Sequence, residues 1–184
     1  EGGMQETHNV LLRMRELAVQ SANGTLPDAD RQHTDAEFKQ LQNEMDRISN
    51  NTKWAGQNLL NGQSFSFQVG EGANQTINVK IGDMDSYRPY YDHNGSMNSF
   101  DGVQYDYGAS NLGIATPEIE LETVSQSQRA IEAIDIAIDY VSSERANLGA
   151  VSNRLDSTMS NLDQVAVNLS CLLYTSDAAD ELRS

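Results

Sequence analysis

SQSQRAIEAIDIAIDYVSSERANLGAVSNRLDSTMSNLDQVAVNL, residues Ser125 to Leu169, is the stretch that decides the fold. Steps of four and three from Ile134 reach Ile138, Val141, Arg145, Leu148, Ser152, Leu155, Met159, Leu162, Ala166 and Leu169. Only Arg145 and Ser152 on that path are not apolar, and no proline interrupts it. A repeat of about 3.5 residues keeps one stripe of a helix facing a partner along its whole length. The pattern lasts roughly five heptads, so the partner must itself be long and helical. Gly149 falls inside this helix, where glycine costs up to about 1 kcal/mol against alanine.

Two such partners precede it. A first helix is expected from about Glu6 to Asn23, with Thr7, Leu11, Met14, Ala18 and Ser21 on one seam and Val10 and Leu17 beside it. Asn23-Gly24 reads as a stop, with Gly24 free to take the left-handed conformation. A second helix is expected from Asp28 to Asn50, with Asp28 or Thr25 as cap and Pro27 at or just before its first turn. Its seam is Thr34, Phe38, Leu41, Met45 and Ile48. The period matches that of the C-terminal helix, so the three can share one core. Leu148, Leu155 and Leu162 continue that core along the long helix.

Between the second and third helices the period changes. Trp54 to Asn61 reads as an ordered loop, with Trp54, Leu59 and Leu60 as apolar anchors and Gly56 and Gly62 as turns. Phe65, Phe67 and Val69 then alternate with polar residues, as do Ile77, Val79 and Ile81. Two runs of period two around Gly70-Glu71-Gly72-Ala73-Asn74 make a β-hairpin with one apolar face, turned toward the helices. Asp83 to Pro117 is irregular and carries Tyr87, Tyr90, Tyr91, Tyr105 and Tyr107, with a second hairpin expected around Val103 to Tyr107. Thr123 or Ser125 caps the long helix. The fold class is therefore mainly α: an elongated antiparallel helical bundle or coiled coil with a small β-hairpin and a short irregular insert.

The 184 residues carry a net charge of −15, with a sequence pI near 4.3. Nucleic acid and anionic membranes are poor partners for such a surface without a local basic patch, and the sequence has none. No apolar run is long enough to span a membrane, and no signal peptide is visible. Glu1 is not an initiating Met, and the first helix is under way by Glu6, so the chain reads as cut at its front. The single cysteine, Cys171, opens CLLYTSDAADE, where the heptad spacing stops. That string is similar to a translated sequencing-library adaptor, and residues 171–184 are expected to be a non-native tail. A chain otherwise free of cysteine suits an exported protein.

Catalytic patterns are lacking. His8, His33 and His93 have no metal-ligand spacing, and Asp28-Ala29-Asp30 lacks the other ligands of a calcium loop. Gly70 and Gly72 follow a strand but open no helix, so they cradle no phosphate. No cofactor and no enzymatic activity are expected.

LRMRELAVQSANGT (Leu12 to Thr25) closely resembles the most characteristic stretch of bacterial flagellin. The resemblance continues through EMDRISNNTKWAGQNLLNG (Glu44 to Gly62), FSFQVGEGANQTINVKIGDM (Phe65 to Met84) and ANLGAVSNRLDSTMSNLDQVAVNLS (Ala146 to Ser170). It implies a structural subunit of the extracellular flagellar filament, self-assembling for motility and exported without a cleaved signal peptide. It also implies a division into residues 1–84 (two helices and a hairpin), a variable surface insert at 85–117, and a long helix at 118–170. The outermost terminal segments of the family lie outside this chain. Other copies, an export chaperone, cap proteins and an animal innate receptor of the Toll-like class are the implied partners. For the receptor or for subunit contacts, the matching positions are Arg13, Leu17 and Glu37, with Leu12 where the family often has Gln. A hook–filament junction protein and a secreted helical adhesin or binding module are the alternatives.

Overall fold

The computed structural model describes residues 1–70, 72, 74–84, 99–100, 103–104 and 119–181. Three helices dominate: α1 (Gly2–Ser21), α2 (Asp28–Asn51) and α3 (Val124–Glu181). Short strands pair in twos: β1 (Lys53–Trp54) with β2 (Gln57–Asn58), β3 (Ser64–Gln68) with β4 (Thr76–Lys80), and β5 (Ser99–Phe100) with β6 (Val103–Gln104). The mainly helical class expected from the heptads is the class observed. α3 continues as helix through the stretch after Leu169 where the heptad spacing stops. Of the expected second hairpin, Val103–Gln104 pairs back to Ser99–Phe100, and the part toward Tyr107 lies outside the described residues, as does most of the rest of the insert.

The chain divides into two compact units. The first comprises Glu1–Ser64 and Lys80–Ala146. Its core is the shared seam. Met4, Leu11, Met14, Leu17 and Ala18 come from α1, Phe38 and Met45 from α2, and Ala130, Ala133, Ile134, Ala137 and Val141 from α3. Alanine at three of the α3 positions lets backbones come close, and Leu60, Met84 and Leu121 complete the core. Of the expected seam residues, Leu11, Met14, Phe38, Met45, Ile134 and Val141 are buried, and Leu41, Ile48 and Ile138 are half-buried.

The second unit comprises Phe65–Val79 and Asn147–Ser184. In its hairpin β4 follows the alternation, with Ile77 and Val79 buried between exposed Thr76, Asn78 and Lys80, whereas on β3 Phe67, expected on the apolar face, is exposed. Leu148 and Leu155 belong here, half-buried, and Leu162 is 43 % exposed. Leu162 is thus not a core residue within this chain. The heptad reports a stripe that wants a partner, and it does not say whether that partner is in the same molecule.

Helix ends differ in part from the expectation. α1 ends at Ser21 without a left-handed Gly24; positive φ among glycines occurs at Gly56 and Gly62. A side chain does the capping instead. Arg31, 6 % exposed, donates from Nε to Ser21 O (3.0 Å), from Nη2 to Asn23 O (2.9 Å) and from Nη1 to Asp28 Oδ1 (2.8 Å). The first two of these bonds go to backbone carbonyls at and just beyond the C-terminus of α1, where the helix leaves such groups unpaired, and the third is an ion pair. Pro27 is the N-cap of α2, which makes Asp28 its first helical residue. At α3, Thr123 Oγ1 accepts from Gln126 N (3.2 Å) and donates to Gln126 Oε1 (2.7 Å), a capping arrangement legible in the sequence.

Candidate functional site

The outer face of the α1–α2 pair carries the sequence-predicted contact residues. Arg13 donates from Nε (3.0 Å) and Nη2 (2.8 Å) to Glu37 Oε1, and from Nη1 to Glu16 Oε2 (2.9 Å). Its side chain is 51 % exposed and that of Glu37 is 47 % exposed. The Glu37 carboxylate, and then that of Glu16, hold the Arg13 guanidinium above its ordinary pKa. The pair is solvated, so its contribution to stability is small and it remains readable from outside. Exposed Leu12 and Val19 lie seven residues apart on the same helix.

Leu17 does not join that surface. It is 2 % exposed, within the core of the first unit. Arg13 and Leu17 are neighbours by the four-residue spacing, but Leu17 also stands three residues after Met14 on the buried seam. The structure therefore brings Arg13 and Glu37 together at the surface and leaves Leu17 beneath.

A second polar constellation had no signal in the heptads. Leu121, just ahead of α3, is gripped on both sides of its backbone. Its N–H donates to Asp35 Oδ1 (2.8 Å), and its carbonyl accepts from Ser21 Oγ (2.6 Å). Asp35 is 5 % exposed and Ser21 is fully buried. Lys39 Nζ neutralises Asp35 at 2.8 Å and reaches Glu120 Oε1 at 3.2 Å. Asp35 foremost, with Glu120, holds the Lys39 ammonium above the usual lysine range. Arg15 ties α1 to α3 by a fork onto Asp135 (2.6 and 3.3 Å). These groups position the helices. They are arranged as locks between elements, not as a nucleophile beside a base.

Among the described residues, no group of three or more His, Cys, Asp or Glu could hold a metal ion, and no helix is long and apolar enough to cross a membrane. In the second unit a groove of about 560 Å³ lies between the hairpin and α3, lined by Val69, Gln75, Ile77, Asn153, Arg154 and Thr158. Arg154 is the charged residue of that lining, so the groove offers no acid–base pair.

A third feature of the described surface is apolar. Met159, Leu162, Val165 and Leu169 of α3 are each 43 % exposed or more. Exposed apolar residues recurring on a heptad helix mark a surface that buries against another chain.

Comparison with known proteins agrees with this geometry. The bacterial flagellin N-terminal helical region matches residues 1–64, and the bacterial flagellin C-terminal helical region matches residues 131–180. The second match runs into the stretch set aside as a tail. A flagellin of Halalkalibacterium halodurans is 36 % identical over 169 residues, which are 92 % of this chain and 54 % of that protein. A flagellar filament 31.3 kDa core protein of Treponema maltophilum is 33 % identical over 91 % of this chain and 56 % of its own length. The chain thus spans about half the length of these curated relatives. The crystal structure of Bacillus cereus flagellin superposes with a TM-score of 0.66 at 27 % identity, covering 87 % of this chain and 80 % of that one.

Proposed function

This chain belongs to the bacterial flagellin family, and on that premise we propose that it is a structural, non-enzymatic subunit of the extracellular flagellar filament. Its work is self-assembly for motility. The observation that carries the reading is the apolar stripe on α3, where Met159, Leu162 and Leu169 keep heptad spacing and are exposed among the described residues. A subunit of a polymer needs such a face, whereas an isolated domain is put at risk of aggregation by it. The related flagellins and filament core proteins favour this reading over a hook–filament junction protein or a secreted adhesin. The test is peptide mass spectrometry of filaments sheared from cells that make this chain. Its peptides are expected in the sedimenting filament fraction, and recovery only as unsedimented protein overturns the reading.

Export without a cleaved signal peptide, handled by a chaperone and ordered at the tip by a cap, belongs to the same proposal. So does recognition by a Toll-like innate receptor through the Arg13–Glu37 surface. The support is that this pair is half-exposed and geometrically fixed, and arginine is enriched among residues that dominate interfaces. Replacing Arg13 by Ala is expected to weaken binding of the receptor ectodomain by about fivefold or more, with unchanged circular dichroism. Equal binding by the variant removes Arg13 from the contact.

A further inference from the structure

Two Asn-Gly pairs lie among the described residues, Asn23-Gly24 and Asn61-Gly62. In such a pair the side-chain amide is open to attack by the next backbone nitrogen, because glycine has no Cβ to crowd the approach. Sequence makes the two pairs equal, and the fold separates them.

Asn23 is exposed at the corner between α1 and α2, outside both helices. Its Oδ1 accepts from Thr25 N–H (3.1 Å) and from Thr25 Oγ1 (3.0 Å). The first bond closes an Asx turn, a ring that contains both Asn23 Cγ and the Gly24 nitrogen. Negative charge gathers on Oδ1 when a nucleophile adds to Cγ, and two donors already aimed at that oxygen are the arrangement of an oxyanion hole. The Gly24 N–H has no acceptor among the described residues. A Cβ at Gly24 would meet nothing within 4 Å, so the nitrogen is open to solvent on that side.

Asn61 lacks these features. It is half-buried, and its Oδ1 is buried with no donor among the described residues. Its backbone pairs with Asp83. Met84 N–H to Leu60 O (2.9 Å) and Ile81 N–H to Gln63 O (3.1 Å) pin the chain on either side. Gly62 is held at φ of 77°. An amide carbonyl with no donor on it, in a backbone so fixed, gains no help toward addition.

We propose that Asn23 is a site of self-modification, deamidating by attack of the Gly24 nitrogen with Thr25 as the activating residue, while Asn61 is protected. The Gly24 nitrogen loses its proton to solvent and bonds to Asn23 Cγ. The Cγ–Nδ2 bond breaks, and the amide leaves as ammonia with a proton from solvent, giving a succinimide. Water opens that ring at either carbonyl, leaving aspartate or isoaspartate. Overall one water is consumed and one ammonia released.

The product bears on the corner itself. Asn23 O accepts from Arg31 Nη2 (2.9 Å) and Leu26 N–H (3.1 Å). In isoaspartate that oxygen belongs to a carboxylate, and the main chain gains one atom between α1 and α2. The buried Arg31 guanidinium then faces a charged acceptor in place of a neutral one, which is the stronger kind of bond. The corner thus holds its product, and Asn23 records how long a chain has been folded. The proposal concerns the single chain and stands apart from the filament reading.

The test is incubation of the full chain at mildly alkaline pH, with and without denaturant. Aspartate and isoaspartate at positions 23 and 61 are followed by peptide mass spectrometry and isoaspartyl methyltransferase labelling. In the folded chain Asn23 is expected to convert at least about tenfold faster than Asn61, and in denaturant the two rates converge. Gly24→Ala, whose Cβ has room, slows conversion about tenfold or more with unchanged circular dichroism. Thr25→Val slows it about threefold or more in the folded chain and leaves the rate in denaturant unchanged. Equal rates at Asn23 and Asn61 in the folded chain overturn the proposal. So does a preference for Asn23 that persists undiminished in denaturant, which assigns it to local sequence. An unchanged folded-state rate in Thr25→Val overturns the activating role of Thr25.

Discussion

Single residues carry more of this account than their type suggests. Ala55 sits at positive φ with no side-chain means of easing it. Ala55→Asn is expected to raise stability by about 1 kcal/mol, read as a higher melting temperature, because asparagine tolerates that region. An unchanged or lower melting temperature would show that the turn is not strained. Gly82 is required for a different reason. A Cβ there would lie 1.9 Å from the Tyr140 hydroxyl, so the glycine makes room for the ring. Burial, aided by the charges of Glu144 and Asp83, pushes the Tyr140 phenol up to about 12. The folded pKa lies above the ordinary value of 10.0, so the folded state favours the protonated phenol. The associated stability is complete below the unfolded pKa and is lost as pH rises through the folded one. Melting temperature should therefore fall more steeply between about pH 10 and pH 12 in wild type than in Tyr140→Phe. Parallel curves would place Tyr140 in an ordinary solvated setting.

Elements are where sequence and structure can be compared. The seam Leu11, Met14, Phe38, Met45, Ile134 and Val141 was legible because burial along a helix has a period, and the sequence displays it. The β4 alternation and the Thr123 cap were legible for the same kind of reason. The Arg31 cap and the Asp35–Leu121–Ser21 lock were not. They join residues up to 100 positions apart through single hydrogen bonds, which leave no periodic trace. Trp54 was read as an anchor for its type, while its exposure follows from a turn geometry only the coordinates give. The resemblance names Leu17 as a contact position with Arg13, but it is buried, because four-residue spacing fixes a shared face without fixing how far the core reaches around it. The lock makes a definite prediction. Asp35→Ala leaves the buried Leu121 N–H without an acceptor and is expected to cost about 1–3 kcal/mol by denaturant titration. Asp163→Ala, on the exposed face of α3, should stay within about 0.5 kcal/mol. Equal costs would mean the Leu121 bonds do not hold α3 in place.

At the scale of the whole molecule, the account turns on what the chain leaves uncovered. The first unit closes its own core from all three helices, while in the second unit Met159, Leu162, Val165 and Leu169 of α3 are exposed among the described residues. On the proposed function, what covers such a stripe is copies of the same protein, arranged as a polymer. The most direct measurement is electron microscopy of cells in which this chain is the only flagellin made, with an antibody raised against it. The account predicts extracellular filaments labelled along their length, and their loss when Leu162 and Leu169 are both replaced by Asp. Bare cells that release the intact, folded chain as unassembled protein would contradict it.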